Sequence, residues 1–249
     1  MLDLILSLVV WSIAIGIVCF AVASFKADSV NWKVLAYCLS IYAIYMLLLK
    51  TTAPLLSINF GGPKQLNLEG KLLAAIFTIT VLIFFAKRFT GFASHETGFT
   101  LAQRDGSVIP ACLVTLAFLV VVAVIEIVLK GGKTVELEAS YLIAYTLLAG
   151  LDEELMYRGF LVAGFCIVVG STRVINLGTA VRVGGIIALI LFALIHGFRI
   201  SDGAPVLSVP GIGLTFLFGC VFLWLRERTG SLLFPVISHS LANVVALFV

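Results

Sequence analysis

Long apolar segments follow one another along almost the whole chain, and they constrain its fold more than any other feature. A helix needs about 20 predominantly apolar residues to cross the hydrocarbon core of a bilayer. The sixth segment is shorter than that, and the fifth is long enough to tilt or bend. The sequence therefore predicts an all-α integral membrane protein of about eight transmembrane helices, forming a single membrane domain over residues 1–249. The segments cover residues 2–25, 32–50, 70–88, 108–130, 139–169, 184–198, 209–226 and 231–249.

The composition agrees with this fold class. Hydrophobic residues make up 61% of the chain and charged residues only 12%, whereas a soluble domain has about 25% charged residues. The apolar residues run continuously instead of alternating, which favours helices over a transmembrane barrel. The net charge of +3 and the lack of a basic stripe argue against a nucleic-acid partner. The five cysteines lie singly in apolar segments without a CxxC pair, so neither a zinc knuckle nor a disulfide framework is predicted.

The charges between the segments give an expectation for orientation. The N-terminus carries Asp3 where a signal peptide has positive charge, so the first segment is predicted to stay in the membrane as a span. With eight spans, nine Lys and Arg residues fall on one side and six on the other. The positive-inside rule then places both termini outside the cytoplasm. We expect a multi-pass protein, in the cell membrane if the source is prokaryotic.

An acidic motif interrupts the fifth apolar segment. Residues 151–161 contain three acids and one arginine, and a charge at bilayer depth costs about 2.5–3.5 kcal/mol on insertion scales. Such groups persist when they pair or face a protein interior, and they commonly mark function. Glu154 and Arg158 are four residues apart in the favourable order for a helical ion pair. Glu153 lies about 100° further round the helix, so Glu154 is interpreted as structural and Glu153 as the carboxylate available for chemistry.

Two later segments carry histidines. The sixth ends at His196, and the eighth contains His239 and Asn243 four residues apart on one helical face. Either histidine alone is equally well explained as an interhelical hydrogen-bonding group. Together with the acidic motif they supply a base, two imidazoles and an amide, which suits hydrolysis with water as the nucleophile. The sequence has neither HExxH nor a serine nucleophile elbow.

These three motifs, in this order, resemble those of the CPBP intramembrane proteases. That family comprises CAAX prenyl endopeptidases and bacteriocin-processing or Abi proteins. The resemblance covers residues 139–249, the expected catalytic core, whereas residues 1–138 are expected to form variable N-terminal spans. The flanking sequences agree, and Tyr157 stands where the family commonly has phenylalanine. The motifs are Glu153-Glu154-x-x-x-Arg158, Phe192-x-x-x-His196 and His239-x-x-x-Asn243.

The resemblance implies a role for each motif residue. Glu153 would act as general base with His196 and activate water. Glu154 and Arg158 would orient that base, and His239 and Asn243 would stabilise the oxyanion. Family members are also described as metalloproteases, in which case Glu153, His196 and His239 would bind Zn²⁺. The sequence leaves both options open, zinc or no metal.

Two other functions remain open at this stage. The first is a catalytically silent immunity or membrane-scaffold protein on the same fold, and the second is a proton-coupled transporter, which also needs intramembrane acids and histidines. If the chain is a protease, its partners are membrane lipid and a membrane-associated substrate. Prenylated CAAX proteins and peptide precursors are both compatible with that expectation.

Three other polar residues are not assigned a catalytic role. His95 is predicted to be a solvated loop residue, and Glu126 an interfacial residue that pairs with Lys130. Asp152 is expected to point away from the other two acids, where it could tune them or face a cavity.

Overall fold

The computed structural model describes residues 1–25, 29–51, 67–88, 93–130, 138–148, 150–170, 173–176 and 179–248. Each of the eight apolar segments contains helix within these ranges. The described helices are α1 (Leu2–Phe25), α2 (Trp32–Thr51), α3 (Leu68–Arg88), α4 (Ser94–Thr97), α5 (Val108–Lys130), α6 (Ala139–Leu148), α7 (Leu151–Glu154), α8 (Val162–Val169), α9 (Val183–Gly197), α10 (Val209–Thr229) and α11 (Leu233–Phe248).

Four of these helices are long and apolar enough to cross a membrane by length and composition. They are α1, α2, α5 and α10, with mean hydropathies between 1.7 and 3.0 over their apolar parts. Among the described residues no further helix meets that criterion, and α9 and α11 are apolar but shorter than 18 residues. The chain is therefore a mostly helical membrane protein, with four of the eight predicted crossings supported.

The fifth apolar segment is divided. Helix α6 ends at Leu148, and a second helical run begins at Leu151. Between α7 and α8 this run has π-helical geometry over Leu155–Leu161, flanked on both sides by ordinary α-helical backbone. π-Helical turns are rare and occur frequently at functional sites. This one begins directly after the acidic motif.

Gly150, at the break, allows α11 to approach closely. A Cβ atom there would lie 2.8 Å from the backbone nitrogen of Ser240 and 3.0 Å from Cβ of His239. Real Cβ atoms do not approach other heavy atoms so closely, so a larger residue would push α11 away. The glycine thus sets the distance between the acidic motif and the helix that carries His239.

Two short antiparallel hairpins lie between helices, and the sequence analysis did not predict them. Strands β1 (Arg173–Asn176) and β2 (Ala180–Arg182) precede α9, and strands β3 (Phe198–Ser201) and β4 (Ala204–Leu207) follow it. Asp202 and Gly203 connect β3 to β4 with φ of 52° and 75°. Asp-Gly is a preferred pair for a two-residue hairpin turn with positive φ at both positions. The second hairpin begins immediately after α9, which carries His196 in its last turn.

Polar side chains on one face of helix α1 bind the second hairpin. Asp3, Ser7 and Trp11 are spaced by four residues and so project from the same side of α1. All three bond the backbone of the hairpin, which fixes its position relative to α1. The bonds are Asp202 N to Asp3 Oδ2 at 2.9 Å, Gly203 N to Asp3 Oδ1 at 3.1 Å, Ile200 N to Ser7 Oγ at 2.8 Å, and Trp11 Nε1 to Phe198 O at 3.0 Å.

The run from α7 to α8 lies at the centre of the bundle. Phe160, Val162 and Phe165 are fully buried in it, and the surrounding core residues come from α1, α2, α3 and α9. Helices α5, α6, α10 and α11 pack against one another beside this core. Large apolar side chains on the outward faces of α1 and α5 are exposed, as expected for helices that contact lipid. The charged motif is thus carried by the most deeply buried helical run.

Candidate active site

The acidic motif begins the central helical run, and its three carboxylates have different surroundings. Asp152 and Glu154 are fully buried, whereas 16% of the Glu153 side chain is exposed. A buried carboxylate needs a cation or several hydrogen bonds to offset the loss of hydration. The three carboxylates have different partners, and these partners determine what each acid can do.

Glu154 joins Arg158 to His239. Its Oε1 atom accepts hydrogen bonds from Arg158 Nη1 at 2.9 Å and from His239 Nδ1 at 2.8 Å. The Arg158 guanidinium also lies over the ring of Phe192, 4.1 Å from its centroid. The ring of His239 stacks on Phe222 with centroids 4.6 Å apart. A charge-assisted pair and two aromatic rings therefore hold the arginine and the imidazole in fixed orientations.

The protonation of both imidazole rings follows from the partners of their Nδ1 atoms. His196 Nδ1 lies 2.7 Å from the carbonyl oxygen of Phe192, which can only accept a hydrogen bond. His239 Nδ1 faces the Glu154 carboxylate, which accepts when ionised. Both Nδ1 atoms therefore carry hydrogen, and each Nε2 is turned to the interior of the site.

Glu153 faces both of these Nε2 atoms. Its Oε2 atom is 3.8 Å from His196 Nε2 and 3.9 Å from His239 Nε2. These separations are too long for direct hydrogen bonds but suit a single bridging water. Side chains from α7, α9 and α11 thus converge on one small volume.

Lys71 supplies the cation for the other two acids, and the sequence analysis missed it. Its Nζ atom on α3 lies 3.0 Å from Glu153 Oε1 and 3.2 Å from Asp152 Oδ1. Tyr45 on α2 donates a further hydrogen bond to Asp152 Oδ2 at 3.1 Å. Asp152 therefore does not stand apart from Glu153, because one ammonium group bridges the two carboxylates. Glu153 has one oxygen on Lys71 and the other turned to the histidines.

A cavity of about 490 Å³ leads to Glu153 and His196. It lies between α1, α2, α9 and strand β3, and Trp11, Tyr45 and Tyr157 form part of its wall. Glu153 and His196 therefore both lie on the wall of this larger cavity.

Asn243 lies on the other side of the histidines. With His196 and His239 it lines a second, smaller cavity of about 180 Å³, bounded by α5, α9, α10 and α11. Asn243 follows His239 by one helical turn, so its amide lies next to the imidazole along α11. The structure therefore brings five of the six predicted site residues into one network and places Asn243 on an adjoining cavity.

Comparison with known proteins gives one match. Residues 135–245, a little under half of the chain, match the family model described as type II CAAX prenyl endopeptidase Rce1-like. Because of this similarity, we refer to residues 135–245 as the Rce1-like domain. No curated protein and no solved structure matches the chain. The match agrees with the CPBP resemblance of the three motifs and implies a membrane protease acting on membrane-associated proteins or peptides.

The Rce1-like domain does not contain the whole network. Lys71 and Tyr45 both contact Asp152, although each lies more than 50 positions before the first matched residue. Lys71 stands at the start of an apolar segment, where a lysine usually indicates only the end of a span. The available signal was that intramembrane acids need partners, and the acidic motif contains a single arginine for three acids.

The candidate zinc ligands of the Rce1-like domain are Glu153, His196 and His239. Two imidazoles and a carboxylate are suitable ligand types, with the fourth position left for water. Tetrahedral zinc with bonds of about 2.0–2.1 Å places its ligand atoms about 3.3 Å apart, and the separations of 3.8 and 3.9 Å from Glu153 Oε2 exceed that. Among the described residues no group of three His, Cys, Asp or Glu side chains has metal-binding geometry. The spacing of Glu153, His196 and His239 does not fit zinc.

The remaining polar residues have clear positions. His95 is exposed, as predicted, but it lies in the short helix α4 next to Glu96 and not in a loop. Glu126 lines the smaller cavity together with the motif residues of the Rce1-like domain, and its interfacial position remains a prediction. The side chain of Lys130, its predicted partner, lies outside the described residues.

Proposed function

We propose that the chain is an intramembrane endopeptidase that hydrolyses peptide bonds of membrane-associated proteins or peptides, with water as the nucleophile. The observation that carries this proposal is the position of Glu153 Oε2, 3.8 and 3.9 Å from two imidazole nitrogens, at the inner end of a 490 Å³ cavity. A carboxylate and two imidazoles around one small volume are the groups needed to activate water.

The first step is attack of water on the substrate carbonyl. A water between Glu153 Oε2 and His196 Nε2 donates to two acceptors, which leaves its lone pair free for the carbonyl carbon. As the C–O bond forms, Glu153 takes the first proton. The Lys71 ammonium on Glu153 Oε1 holds the carboxylate so that Oε2 stays turned to the water.

The second step is cleavage of the C–N bond. The proton held by Glu153 passes to the leaving nitrogen, so the amine departs neutral and the new carboxyl group keeps the remaining water proton. The Asn243 amide, and His239 when it is protonated at both nitrogens, would donate to the oxygen that becomes negative. Glu154 and Arg158 orient the His239 ring and balance its charge.

The family similarity and the cavity together support a proposal for the substrate class. The family description names CAAX prenyl endopeptidases, so we propose prenylated proteins with a C-terminal CAAX sequence as first candidates and peptide precursors as second. Both are membrane-associated, and each can present an extended segment to the larger cavity.

The decisive experiment uses the full-length protein, purified and reconstituted in lipid vesicles. We expect it to cleave a farnesylated CAAX peptide or a lipid-anchored precursor peptide at a defined bond, with the cut position read by mass spectrometry. The matched control is Glu153→Gln under the same conditions. If no peptide in the panel is cleaved and the vesicles instead conduct protons in a Glu153-dependent manner, the chain is a transporter and the proposal fails.

Cleavage is expected to survive metal removal. Because the spacing of Glu153, His196 and His239 does not fit zinc, protein prepared in chelator should retain full turnover on the same peptide. Activity before and after treatment with 1,10-phenanthroline measures this. Loss of turnover that added Zn²⁺ restores would show that the three side chains close around a metal and would overturn the assignment of Glu153 as a metal-free base.

A further inference from the structure

Three tyrosine hydroxyls lie close together beside the larger cavity. Tyr45 and Tyr157 belong to the described residues that line this cavity, and Tyr42 does not. Tyr42 and Tyr157 are both buried, and their hydroxyl oxygens are 3.0 Å apart. Tyr45 donates its proton to Asp152 Oδ2. The hydroxyl of Tyr45 is therefore engaged within the protein, whereas Tyr42 and Tyr157 share one hydrogen bond between them.

The number of protons decides the direction of the bond between Tyr42 and Tyr157. Each hydroxyl has one proton, so a single hydrogen bond between the two uses one proton and leaves the other. If Tyr157 were the donor, the Tyr42 proton would remain in the core, where no described residue accepts it. A buried donor without a partner is costly. Tyr42 is therefore the donor, and the proton of Tyr157 is available to a group in the larger cavity.

The ring of Tyr157 has a fixed position in the site. Its centroid lies 4.9 Å from that of Phe192, 5.9 Å from that of Tyr42 and 6.5 Å from that of Tyr45, all in edge-on contacts. Such contacts are favourable for aromatic pairs. Phe192 in turn contacts the ring of His196, with centroids 4.6 Å apart. The Tyr157 hydroxyl is thus held in a constant position relative to the His196 imidazole.

The other uncharged hydroxyl and indole donors on the described wall of the larger cavity are already engaged. Ser7 and Trp11 each donate to a backbone carbonyl, at 2.8 and 3.0 Å, and Tyr45 donates to a carboxylate. A peptide that enters the cavity brings carbonyl oxygens, which lose water and need new donors. Among the described residues on this wall, Tyr157 supplies such a donor.

The spacing along the helical run indicates which carbonyl Tyr157 would reach. Tyr157 follows Glu153 by four residues, so the two lie on one side of the run, about 5 Å apart along its axis. Successive residues of an extended peptide are about 3.3 Å apart. A peptide with its cleaved bond at Glu153 would therefore bring to Tyr157 the carbonyl of a residue one or two positions away.

We propose that the Tyr157 hydroxyl, oriented by Tyr42, donates a hydrogen bond to a backbone carbonyl of the substrate one or two residues from the cleaved bond, and so positions the peptide for water attack at Glu153. This inference rests on the proposed protease function. Phenylalanine, which the CPBP family commonly has at this position, lacks the hydroxyl, so the contact would be a property of this chain.

The test removes the donor and the acceptor in turn. The lipid-anchored peptide that the vesicle assay shows to be cleaved is prepared in versions with one backbone carbonyl at a time replaced by a thiocarbonyl, a weaker hydrogen-bond acceptor. For the wild type, we expect one version, modified one or two residues from the cleaved bond, to lose about 3- to 10-fold in kcat/KM. Tyr157→Phe should lose a similar factor on the unmodified peptide and nothing more on that version, because the contact is already absent.

Two variants control for effects on packing. Tyr37→Phe removes a hydroxyl from an exposed side chain of α2 and should match the wild type on every version. The double variant Tyr42→Phe with Tyr157→Phe leaves no unpaired proton on Tyr42 and should behave as Tyr157→Phe alone. Recovery of wild-type kcat/KM in the double variant would assign the loss to the Tyr42 proton and overturn the contact. Full activity of Tyr157→Phe on the unmodified peptide would overturn it as well.

Binding to inactive protein separates this contact from the protease function itself. The unmodified peptide should bind Glu153→Gln about 3- to 10-fold more tightly than it binds Glu153→Gln with Tyr157→Phe, as measured by fluorescence anisotropy. The thiocarbonyl version should bind both proteins equally. If the wild type cleaves no peptide but this difference in binding is found, the contact stands and the protease proposal fails. Equal binding of the unmodified peptide to both proteins overturns the contact.

Discussion

Replacing Glu153 by Gln is expected to lower the rate of peptide cleavage by about 10²- to 10⁴-fold, the usual contribution of a general base. Gln has the same size, so it can occupy the space between Lys71 and the two histidines. Its amide cannot take a proton from water, and that is the step assigned to Oε2. Lys71 keeps Asp152 as a partner at 3.2 Å, so the fold should be retained.

Two measurements check this expectation. Turnover of the reconstituted protein on a lipid-anchored peptide gives the rate, and the membrane peptidomes of cells with wild-type or Glu153→Gln protein give the natural substrates. Uncleaved precursors should accumulate only with the variant. The control is Glu138→Gln, which removes an exposed carboxylate and should match the wild type in both assays. Wild-type turnover in Glu153→Gln would remove Glu153 as the base and leave His196 as the group that activates water.

Replacing Lys71 by Met is expected to destabilise the protein by about 3–5 kcal/mol, the cost of breaking a buried ion pair by removing one partner. Asp152 is fully buried and Glu153 largely so, and Lys71 is the cation that contacts both. Without it two carboxylates face each other in a poorly hydrated site. Equilibrium unfolding in mixed micelles measures the change in free energy, and turnover should fall with it because Glu153 loses the partner that orients it.

The double variant Lys71→Met with Asp152→Asn is the control for this interpretation. Removing one acid relieves the repulsion, so the double variant should recover a large part of the lost stability. Turnover should recover less, because Glu153 still lacks the ammonium on Oε1. If Lys71→Met alone unfolds at the wild-type denaturant concentration, the bridge contributes nothing and the described role of Lys71 is wrong.

Local sequence features predicted much of the arrangement. Each apolar segment contains a helix, because uninterrupted apolar runs bounded by polar loops have no other stable form in a bilayer. The pairing of Glu154 with Arg158 is a contact along one helical run, so the spacing of four residues was enough to expect it. The convergence of Glu153, His196 and His239 was expected because the three motifs supply the groups needed for hydrolysis only when they are combined.

The contacts that the sequence did not reveal are long-range. Lys71 and Asp152 are 81 positions apart, and nothing in the spacing of either residue points to the other. Tyr45 resembles any aromatic residue of an apolar helix until its hydroxyl is placed beside Asp152. The spacing along α5 suggested Lys130 as a partner of Glu126, but it gave no sign of the cavity that Glu126 lines with residues of α9, α10 and α11.

The π-helical stretch from Leu155 to Leu161 sets how the acids of α7 are oriented relative to the core face of α8. A stretch with i→i+5 bonds holds an additional residue compared with a regular α-helix, and each residue turns an α-helix by about 100°. If the stretch relaxed to a regular α-helix at unchanged length, it would rotate α8, with Phe165 and the other buried side chains of its core face, relative to the acids of α7. Deleting one residue would instead make the run regular and leave the orientation of α7 and α8 unchanged. The additional residue therefore keeps the registers of catalysis and packing together only while it stays in the π-helical turn.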